Sequence, residues 1–329
     1  MTDTRALGEF DLIERFFSRS RGAGPARSDV ILGVGDDAAL LRVPDGMDLV
    51  VAVDTVVAGR HFPPDSDPRS IGHRALAVNL SDMAAMGAMP AWATLALTLP
   101  SADAGWLEGF ADGLLTLARA HDVALVGGDT TAGPLTVSVQ IMGFVARGTA
   151  LRRSGAKAGD ILAVTGTLGD AGAGLALVTG GLTADDRAAA SELIERFEYA
   201  APRVRFGAGA RGIAGAAMDL SDGLAGDLPK LAQASGLAAH VDVGRLPLSG
   251  ALLTVVPASR AREWALAAGD DYELLVAVAP ARFEELAASA RQLNLMLTAI
   301  GELRPGTGVS WSLNGEPFAA PAQGYDHFR

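Results

Sequence analysis

Apolar positions along the chain follow two spacings that alternate from one segment to the next. Residues 48–57, 93–99 and 134–145 form nearly continuous apolar runs rich in β-branched residues, which predicts strands. Residues 68–87 and 104–121 carry apolar side chains three or four positions apart, which predicts helices. Strands that alternate with long helices, without a fixed short repeat, favour an α/β sandwich over a solenoid.

The second half of the chain continues this alternation with more glycine. We predict a strand at 161–165, a glycine-rich passage into a helix at 166–174, and a strand end that enters a helix at 216–224. Residues 267–278 carry three acidic side chains into a buried strand. Because 329 residues exceed the usual size of a single core, we expect two domains, 1–148 and 149–329.

Aspartates interrupt these apolar runs. Asp54 lies inside a predicted strand and Asp82 inside a predicted helix, where an unpaired charge is costly, so each needs a partner or a metal ion. Further aspartates lie in segments flanked by Gly, Ser or Thr at the ends of apolar runs: Asp36, Asp37, Asp129, Asp219 and Asp222. We place Asp129 beyond a strand end, in a double-glycine turn, and Ser221 at a helix N-cap. We expect these aspartates to converge on one site for divalent metal and nucleotide, although solvated turn aspartates are the simpler alternative.

Composition and the absence of several motifs limit the ligands, nucleophiles and partners that this chain can use. The net charge of −11 disfavours nucleic acid as a partner, and the absence of cysteine excludes thiolate ligands and nucleophiles. The chain has no Walker A motif, no metal spacing among its five histidines, and no long apolar run that predicts a membrane span. Oxygen-only ligands indicate magnesium or calcium, and the lack of a signal-like N-terminal run leads us to expect a cytoplasmic protein.

A series of short motifs, in chain order, resembles thiamine-monophosphate kinase. The segments that carry the resemblance are 33–40 (GVGDDAAL), 54–55 with 59–62 (DT, GRHF), 79–88 (NLSDMAAMGA), 127–131 (GGDTT), 153–156 (RSGA), 219–224 (DLSDGL), 271–274 (DYEL) and 324–328 (GYDHF). The resemblance implies an α/β (α+β) chain with the two-domain aminoimidazole ribonucleotide synthetase-like (PurM-like) fold, in which helices cover a mixed β-sheet in each domain. It also implies a homodimer formed through the N-terminal domains, and phosphoryl transfer from ATP to thiamine monophosphate that gives thiamine diphosphate and ADP.

The resemblance also implies a role for each matching residue. Several magnesium ions are expected: those around the ATP phosphates would be bound by Asp37, Asp54, Asp82 and Asp129, and further magnesium would be bound from the second domain by Asp219 and Asp222. The expected ATP contacts are Gly128, Asp129, Arg153 and Ser221, and the residues expected to line the thiamine monophosphate pocket are His61, Asp270 and Tyr325. Asp82, Asp129 and Arg153 are expected to act in catalysis.

The chain departs from the family pattern at two of these places. Ala52 and Val53 stand where hydroxyl residues are usual, so any metal contact there must use backbone carbonyls. Asp270 stands where glutamate is common, which keeps the charge but shortens its reach. Two other functions stay open, another ATP-dependent enzyme of the same superfamily and a non-catalytic magnesium-nucleotide binding protein. ATP binding without turnover of any thiamine substrate would favour the latter.

Overall fold

The structure is a computed structural model that describes residues 12–17 and 27–321. Its described residues divide into two compact units. The first holds residues up to Met83 together with Met89–Gly148, and the second holds Ala84–Ala88 with the described residues from Thr149 onward. No helix in the described ranges is long and apolar enough to cross a membrane.

The first unit is built on a mixed four-stranded sheet in the order β3-β6-β4-β5. Strands β4 and β5 run parallel, whereas the other neighbouring pairs are antiparallel. The strands of this unit are β1 (Val30–Leu32), β2 (Leu40–Leu41), β3 (Met47–Val57), β4 (Met89–Leu99), β5 (Ala124–Ala132) and β6 (Thr136–Ala146). A π-helical turn, Ile13–Phe17, precedes them, and the helices are α1 (Pro68–Ala85) and α2 (Ala104–Ala120). The predicted strands and long helices of this half are thereby confirmed.

Glycines bring helices α1 and α2 into close contact. A Cβ atom on Gly72 would lie 2.0 Å from the Phe110 carbonyl oxygen, and one on Gly113 would lie 2.0 Å from the Arg69 carbonyl oxygen. Each helix therefore approaches the other through a position where a side chain does not fit. The predicted burial of helix α1 is confirmed, since Leu80 and Met83 are fully buried.

A buried asparagine fastens α1 to the sheet. The Asn79 side chain donates to the Ala75 carbonyl at 3.0 Å and accepts the Asp54 backbone N–H at 3.1 Å. A buried amide must satisfy its hydrogen-bonding groups. The bond to Ala75 lies within α1, and the bond to Asp54 fixes α1 against strand β3. The polar residue in this apolar helix is thus explained by the strand beside it.

Two local predictions are wrong. Asp129 lies within strand β5, because pairing with β4 continues to Ala132 past a register shift beside Gly127. Ser221 is not a helix N-cap, because helix α6 (Leu224–Ala234) begins after Gly223, which makes no side-chain capping bond. In both places the tertiary context extends or shifts an element beyond the signal that local turn residues give.

The second unit is built on a mixed seven-stranded sheet in the order β13-β12-β9-β11-β7-β10-β8. Only β12 and β9 are paired in parallel within it. Its strands are β7 (Ile161–Thr165), β8 (Ala214–Asp219), β9 (Ala238–Asp242), β10 (Leu274–Val278), β11 (Leu297–Arg304), β12 (Val309–Leu313) and β13 (Glu316–Pro317). Its helices are α3 (Asp170–Val178), α4 (Arg187–Glu198), α5 (Val204–Ala210), α6, α7 (Gly250–Val255), α8 (Ala258–Ala267) and α9 (Phe283–Gln292). Strands β7, β10 and β8 lie inside its core, and Leu162, Leu275 and Ala216 are fully buried there.

The contact between α1 and α2 gives a first testable prediction. Gly113→Ala should lower the free energy of unfolding by about 1–3 kcal/mol, because the added methyl group overlaps the Arg69 carbonyl. Gly250→Ala, in helix α7, is the control, since nothing lies within 4 Å of its added Cβ. Urea unfolding measures both variants, and equal stability of Gly113→Ala and wild type would contradict the described packing.

Candidate active site

A cavity of about 590 Å³ in the first unit brings several of the predicted residues together. The loop 34–39 forms one wall, and strands β4 and β5 contribute Thr94, Leu95 and residues 125–130 to the others. Asp37, Gly128 and Asp129 all line it, as does Asp36. Acidic side chains beside apolar ones make a cavity that can hold an apolar ring and a metal-bound polar group together.

Gly128 is required by the backbone at this cavity. Its φ is +153°, and a Cβ there would lie 1.9 Å from the Leu95 carbonyl oxygen. Strand β5 therefore passes β4 with no room for a side chain at Gly128, immediately before Asp129. The residue expected to contact ATP is one that leaves backbone exposed at the cavity wall.

Asp54 and Asp82 lie on elements that Asn79 joins. Asp54 is in β3 and Asp82 follows Asn79 by three residues on α1, so Asn79 and Asp82 share one face of that helix. Both carboxylates are half-buried, and burial raises the pKa of Asp54. Neither residue lines the cavity that holds Asp37 and Asp129. Within residues 12–17 and 27–321, no three His, Asp or Glu side chains are grouped as a preformed metal site.

The two backbone candidates beside Asp54 face different ways. The Asp54 N–H points away from β6 toward Asn79, and the N–H and C=O of successive strand residues point to alternate sides. The Ala52 carbonyl therefore faces the same open edge as the Asp54 amide, whereas the Val53 carbonyl faces strand β6. Ala52 is the better placed of the two for a backbone ligand.

His61 and Arg153 each take part in a hydrogen bond, His61 through its ring and Arg153 through its backbone carbonyl. The His61 Nδ1 accepts the Val57 backbone N–H at 3.0 Å, which fixes the ring against the end of β3. In the second unit, the Arg153 carbonyl accepts the Ser235 hydroxyl at 2.9 Å, and the arginine residue is exposed. Tyr325 lies outside the described residues.

The second unit brings a further group of predicted residues together after strand β8. Asp219 is buried at the end of that strand, and Ser221 and Asp222 follow it. The Asp270 backbone N–H donates to the Ser221 carbonyl at 2.9 Å, so the expected substrate residue lies beside the expected ATP contact. The structure thus assembles Asp219, Ser221, Asp222 and Asp270 within one unit, independently of the cavity in the other.

Lys230 and Asp227 surround Asp222, and sequence reasoning missed both. The Lys230 Nζ lies 2.6 Å from Asp222 Oδ2 and 2.9 Å from Asp227 Oδ1. Burial raises the pKa of Asp227 to about 6, and the hydrogen bond and charge of Lys230 oppose that rise. The spacing of Asp227 and Lys230, three residues apart on helix α6, was the available signal.

The acidic residues 271 and 273 face the interior of the second unit. Asp271 accepts the Gly169 N–H at 2.7 Å and the Ala171 N–H at 3.3 Å, at the start of helix α3. Burial raises the pKa of the Asp271 carboxyl to about 8, the two N–H groups lower it, and the charges of Asp170 and Glu273 raise it further. Part of the Asp271 residue remains accessible to solvent, but protein encloses its carboxyl group.

Glu273 is fully buried and is compensated by three side chains. Its carboxylate accepts the Thr165 hydroxyl at 2.7 Å and the Arg203 Nε at 2.7 Å, and Arg196 lies 3.2 Å away. These bonds join strand β7 and the residue before β10 to helix α4 and to the N-cap of helix α5. Sequence reasoning noted acids entering a buried strand here, but gave neither Asp271 nor Glu273 a role.

Comparison with known proteins identifies the family of this chain. Residues 35–145 match the N-terminal domain of the AIR synthase related proteins, and residues 157–313 match their C-terminal domain. The chain therefore belongs to the AIR synthase related family, and the predicted two-domain fold class is confirmed. Structures of the hydrogenase maturation protein HypE, 20% identical with a TM-score of 0.75, share this fold.

Within that family the chain belongs with the thiamine-monophosphate kinases, which confirms the resemblance drawn from its motifs. The thiamine-monophosphate kinase of Escherichia coli K12 is 47% identical over 324 residues, covering 98% of this chain and 99% of that protein. The crystal structure of the Stenotrophomonas maltophilia kinase is 48% identical with a TM-score of 0.86, covering 95% of this chain and 98% of that one. A structure described as AaThiL complexed with AMPPCP and TMP is 30% identical with a TM-score of 0.77, covering 98% and 97% of the two chains.

The raised pKa of Asp271 predicts how stability depends on pH. The folded protein keeps a proton on this carboxyl up to about pH 8, whereas the unfolded chain releases it near pH 4. The folded state therefore binds more protons between these values, and the contribution of Asp271 to stability falls as pH rises through that window. The stability of wild type relative to Asp271→Asn should fall by about 1 kcal/mol per pH unit between pH 5 and 7.

Urea unfolding of both proteins at each pH measures this difference. Asp186→Asn is a matched control, because Asp186 also accepts two backbone N–H groups at a helix start, but at an exposed position. A difference between wild type and Asp271→Asn that stays constant from pH 5 to pH 8 would show that Asp271 is ionised in the folded protein.

Proposed function

We propose that this chain transfers the terminal phosphoryl group of ATP to thiamine monophosphate, giving thiamine diphosphate and ADP. The observation that carries the proposal is full-length identity of 47% with thiamine-monophosphate kinase. The structure described as a complex of AaThiL with AMPPCP and TMP supports it, since that chain has the same fold over 98% of this one. The acidic cavity of the first unit and the Asp270 region of the second supply chemistry suited to these two substrates.

The donor set fits magnesium. Asp37 and Asp129 share one cavity, and all their donor atoms are carboxylate oxygens. Magnesium usually keeps several waters and is held by one or two carboxylates together with substrate phosphates, so the lack of a preformed three-residue group in the described part of the chain suits it. We assign several magnesium ions to this chain, with ligands drawn from Asp37, Asp54, Asp82, Asp129, Asp219 and Asp222, and with the Ala52 carbonyl favoured over that of Val53. When bound, the metal neutralises phosphate charge during transfer.

The chain's own residues account for binding and orientation. Gly128 lets a phosphate approach the backbone of β5 before Asp129, and Ser221 lies beside Asp270. Arg153 supplies a planar cation for phosphate oxygens, while His61, Asp270 and Tyr325 contact thiamine monophosphate. The acceptor is a phosphate oxygen whose second pKa is about 6, so it is largely ionised at neutral pH and needs no strong general base.

The open edge of the first unit supports the expected homodimer. Strand β3 pairs only with β6 among the described strands, and its alternate residues Met47, Leu49, Val51 and Val53 are 37% to 62% exposed. These four side chains share one face of the sheet, because successive residues of a strand point to opposite faces. Such an exposed apolar stripe is typical of an interaction surface, and we assign it to a second copy of this chain.

The cytoplasmic location of the protein stays a prediction.

Turnover and its metal requirement test the proposed activity. Purified protein with ATP and magnesium should release ADP in step with thiamine diphosphate when thiamine monophosphate is the acceptor, and not with free thiamine. Asp82→Asn should lower kcat by about 100-fold or more at saturating magnesium, because a carboxylate ligand is lost. Asp45→Asn, in the exposed turn before β3, is the matched control and should keep wild-type activity.

The outcomes separate the alternatives. ATP binding without turnover of thiamine monophosphate or thiamine would favour a non-catalytic nucleotide-binding protein, or another ATP-dependent enzyme of the superfamily. Near wild-type kcat in Asp82→Asn would remove this residue from the metal site without affecting the assignment of the reaction. Chelation of magnesium should abolish turnover reversibly.

Charge placed on the exposed stripe of β3 should separate the subunits. The double variant Leu49→Lys, Val51→Lys should sediment as a monomer at concentrations where wild type is a dimer, because two charges per subunit would be buried at the interface. Leu253→Lys, an equally exposed apolar position on helix α7, is the control and should remain dimeric. Analytical ultracentrifugation gives the mass of each. A wild-type monomer, or a dimeric double variant, would contradict the assigned interface.

A further inference from the structure

Residues 269–273 form a short segment, here called the acidic strap, with an unusual backbone. Gly269, Asp270 and Tyr272 have φ values of 73°, 63° and 50°. A non-glycine residue in this left-handed region costs about 1 kcal/mol or more, so the surrounding structure must hold the strap in place. Asp270 and Tyr272 lie on either side of Asp271. Their left-handed backbone sets the directions in which the side chains of the strap point.

Both sides of the strap are fastened. On one side, the Asp270 and Tyr272 N–H groups donate to the carbonyls of Ser221 and Leu220, at 2.9 and 3.0 Å. On the other side, Asp271 binds the start of helix α3, and Glu273 binds partly buried arginine side chains and the buried Thr165 hydroxyl. Asp271 and Glu273 are thereby used as anchors, whereas Asp270 is the acidic strap residue that lies beside the Ser221 loop.

The Tyr272 hydroxyl is hydrogen-bonded to the Asp270 carboxylate. The hydroxyl donates to Asp270 Oδ1 at 3.2 Å, and the tyrosine ring is buried. A phenol donor orients a carboxylate without adding a positive charge, so this contact leaves the negative charge of Asp270 in place. Burial of the rest of the tyrosine limits the movement of its hydroxyl.

We propose that Tyr272 is a positioning residue that aims the Asp270 carboxylate at the cationic thiazolium ring of the acceptor. This inference rests on the proposed function, and it adds to it the basis of selectivity for a cationic ring. A carboxylate held near the ring favours a cationic ring over a neutral ring of the same shape, because charge–charge attraction strengthens at short distance and in a partly desolvated site. The phosphoryl transfer itself does not involve the Tyr272 hydroxyl.

Tyr272→Phe removes only the hydroxyl and tests the inference. The KM for thiamine monophosphate should rise by about five- to twenty-fold, as expected for loss of one hydrogen bond to a charged group, while kcat and the KM for ATP stay within about two-fold. Tyr199→Phe, the other tyrosine in the described ranges, is the control and should match wild type in all three constants.

Binding of a neutral analogue gives a second readout, independent of turnover. Calorimetry should show that wild type binds thiamine monophosphate more tightly than the analogue in which a neutral thiophene replaces the thiazolium ring. Tyr272→Phe and Asp270→Asn should each lose most of this preference. Adding Tyr272→Phe to Asp270→Asn should cause little further loss, since the hydroxyl acts through the carboxylate.

Each outcome has a defined meaning. Wild type that fails to convert thiamine monophosphate overturns the proposed function and this inference together. Active wild type with unchanged KM and unchanged ring preference in Tyr272→Phe overturns the inference alone. A Tyr272→Phe protein with a lower melting temperature and lower kcat, but an unchanged KM, assigns the tyrosine a purely structural role and also overturns it. If that variant does not fold, an unaltered ring preference in Asp270→Asn overturns the inference.

Discussion

Compensation of one buried carboxylate determines much of the second unit. Glu273 has no exposed surface, so its charge must be balanced within the protein. Thr165, Arg196 and Arg203 supply that balance from β7, α4 and α5, and removal of one partner of such a buried pair typically costs about 3–5 kcal/mol. The strap ends at Glu273 and strand β10 begins directly after it. The position of Asp270 beside Ser221 therefore depends on a charge balanced on the opposite side of the backbone.

Much of the fold was predictable because its elements have strong periodicity. The long helices and buried strands follow from apolar spacing, and Asp54 and Asp82 lie on the two elements that Asn79 joins. Asp129 was misplaced because a double glycine looks like a turn, whereas pairing with β4 carries the strand through it. The roles of Asp271 and Glu273 were not predictable, because their hydrogen-bond partners are close in space but distant along the chain. Thr165 is 108 residues from Glu273 along the chain.

Two physical roles can be distinguished among the acidic residues near the candidate site, and the distinction matters for reading similar sequences. Glu273 and Asp271 are anchors, whose hydrogen bonds satisfy buried backbone and side-chain groups. Asp37 and Asp129 line an open cavity, where a carboxylate keeps its capacity to bind something else. A motif that contains both classes, such as the run from Asp270 to Glu273, carries information about folding and recognition at once. The residues of such a motif therefore do not all indicate substrate binding.

The close approach of α1 and α2 restricts the position of Asp82 on helix α1. Gly72 and Gly113 put backbone against backbone, so helix α1 has almost no freedom to slide or rotate on α2. Asp82 lies near the end of that helix. Its position is therefore set by contact between the backbones of the two helices, and less by side chains that can adjust. Sequence drift in the surrounding apolar residues can repack the core while the carboxylate stays in register. The two glycines thus constrain the position of Asp82, although neither lines the cavity that holds Asp37 and Asp129.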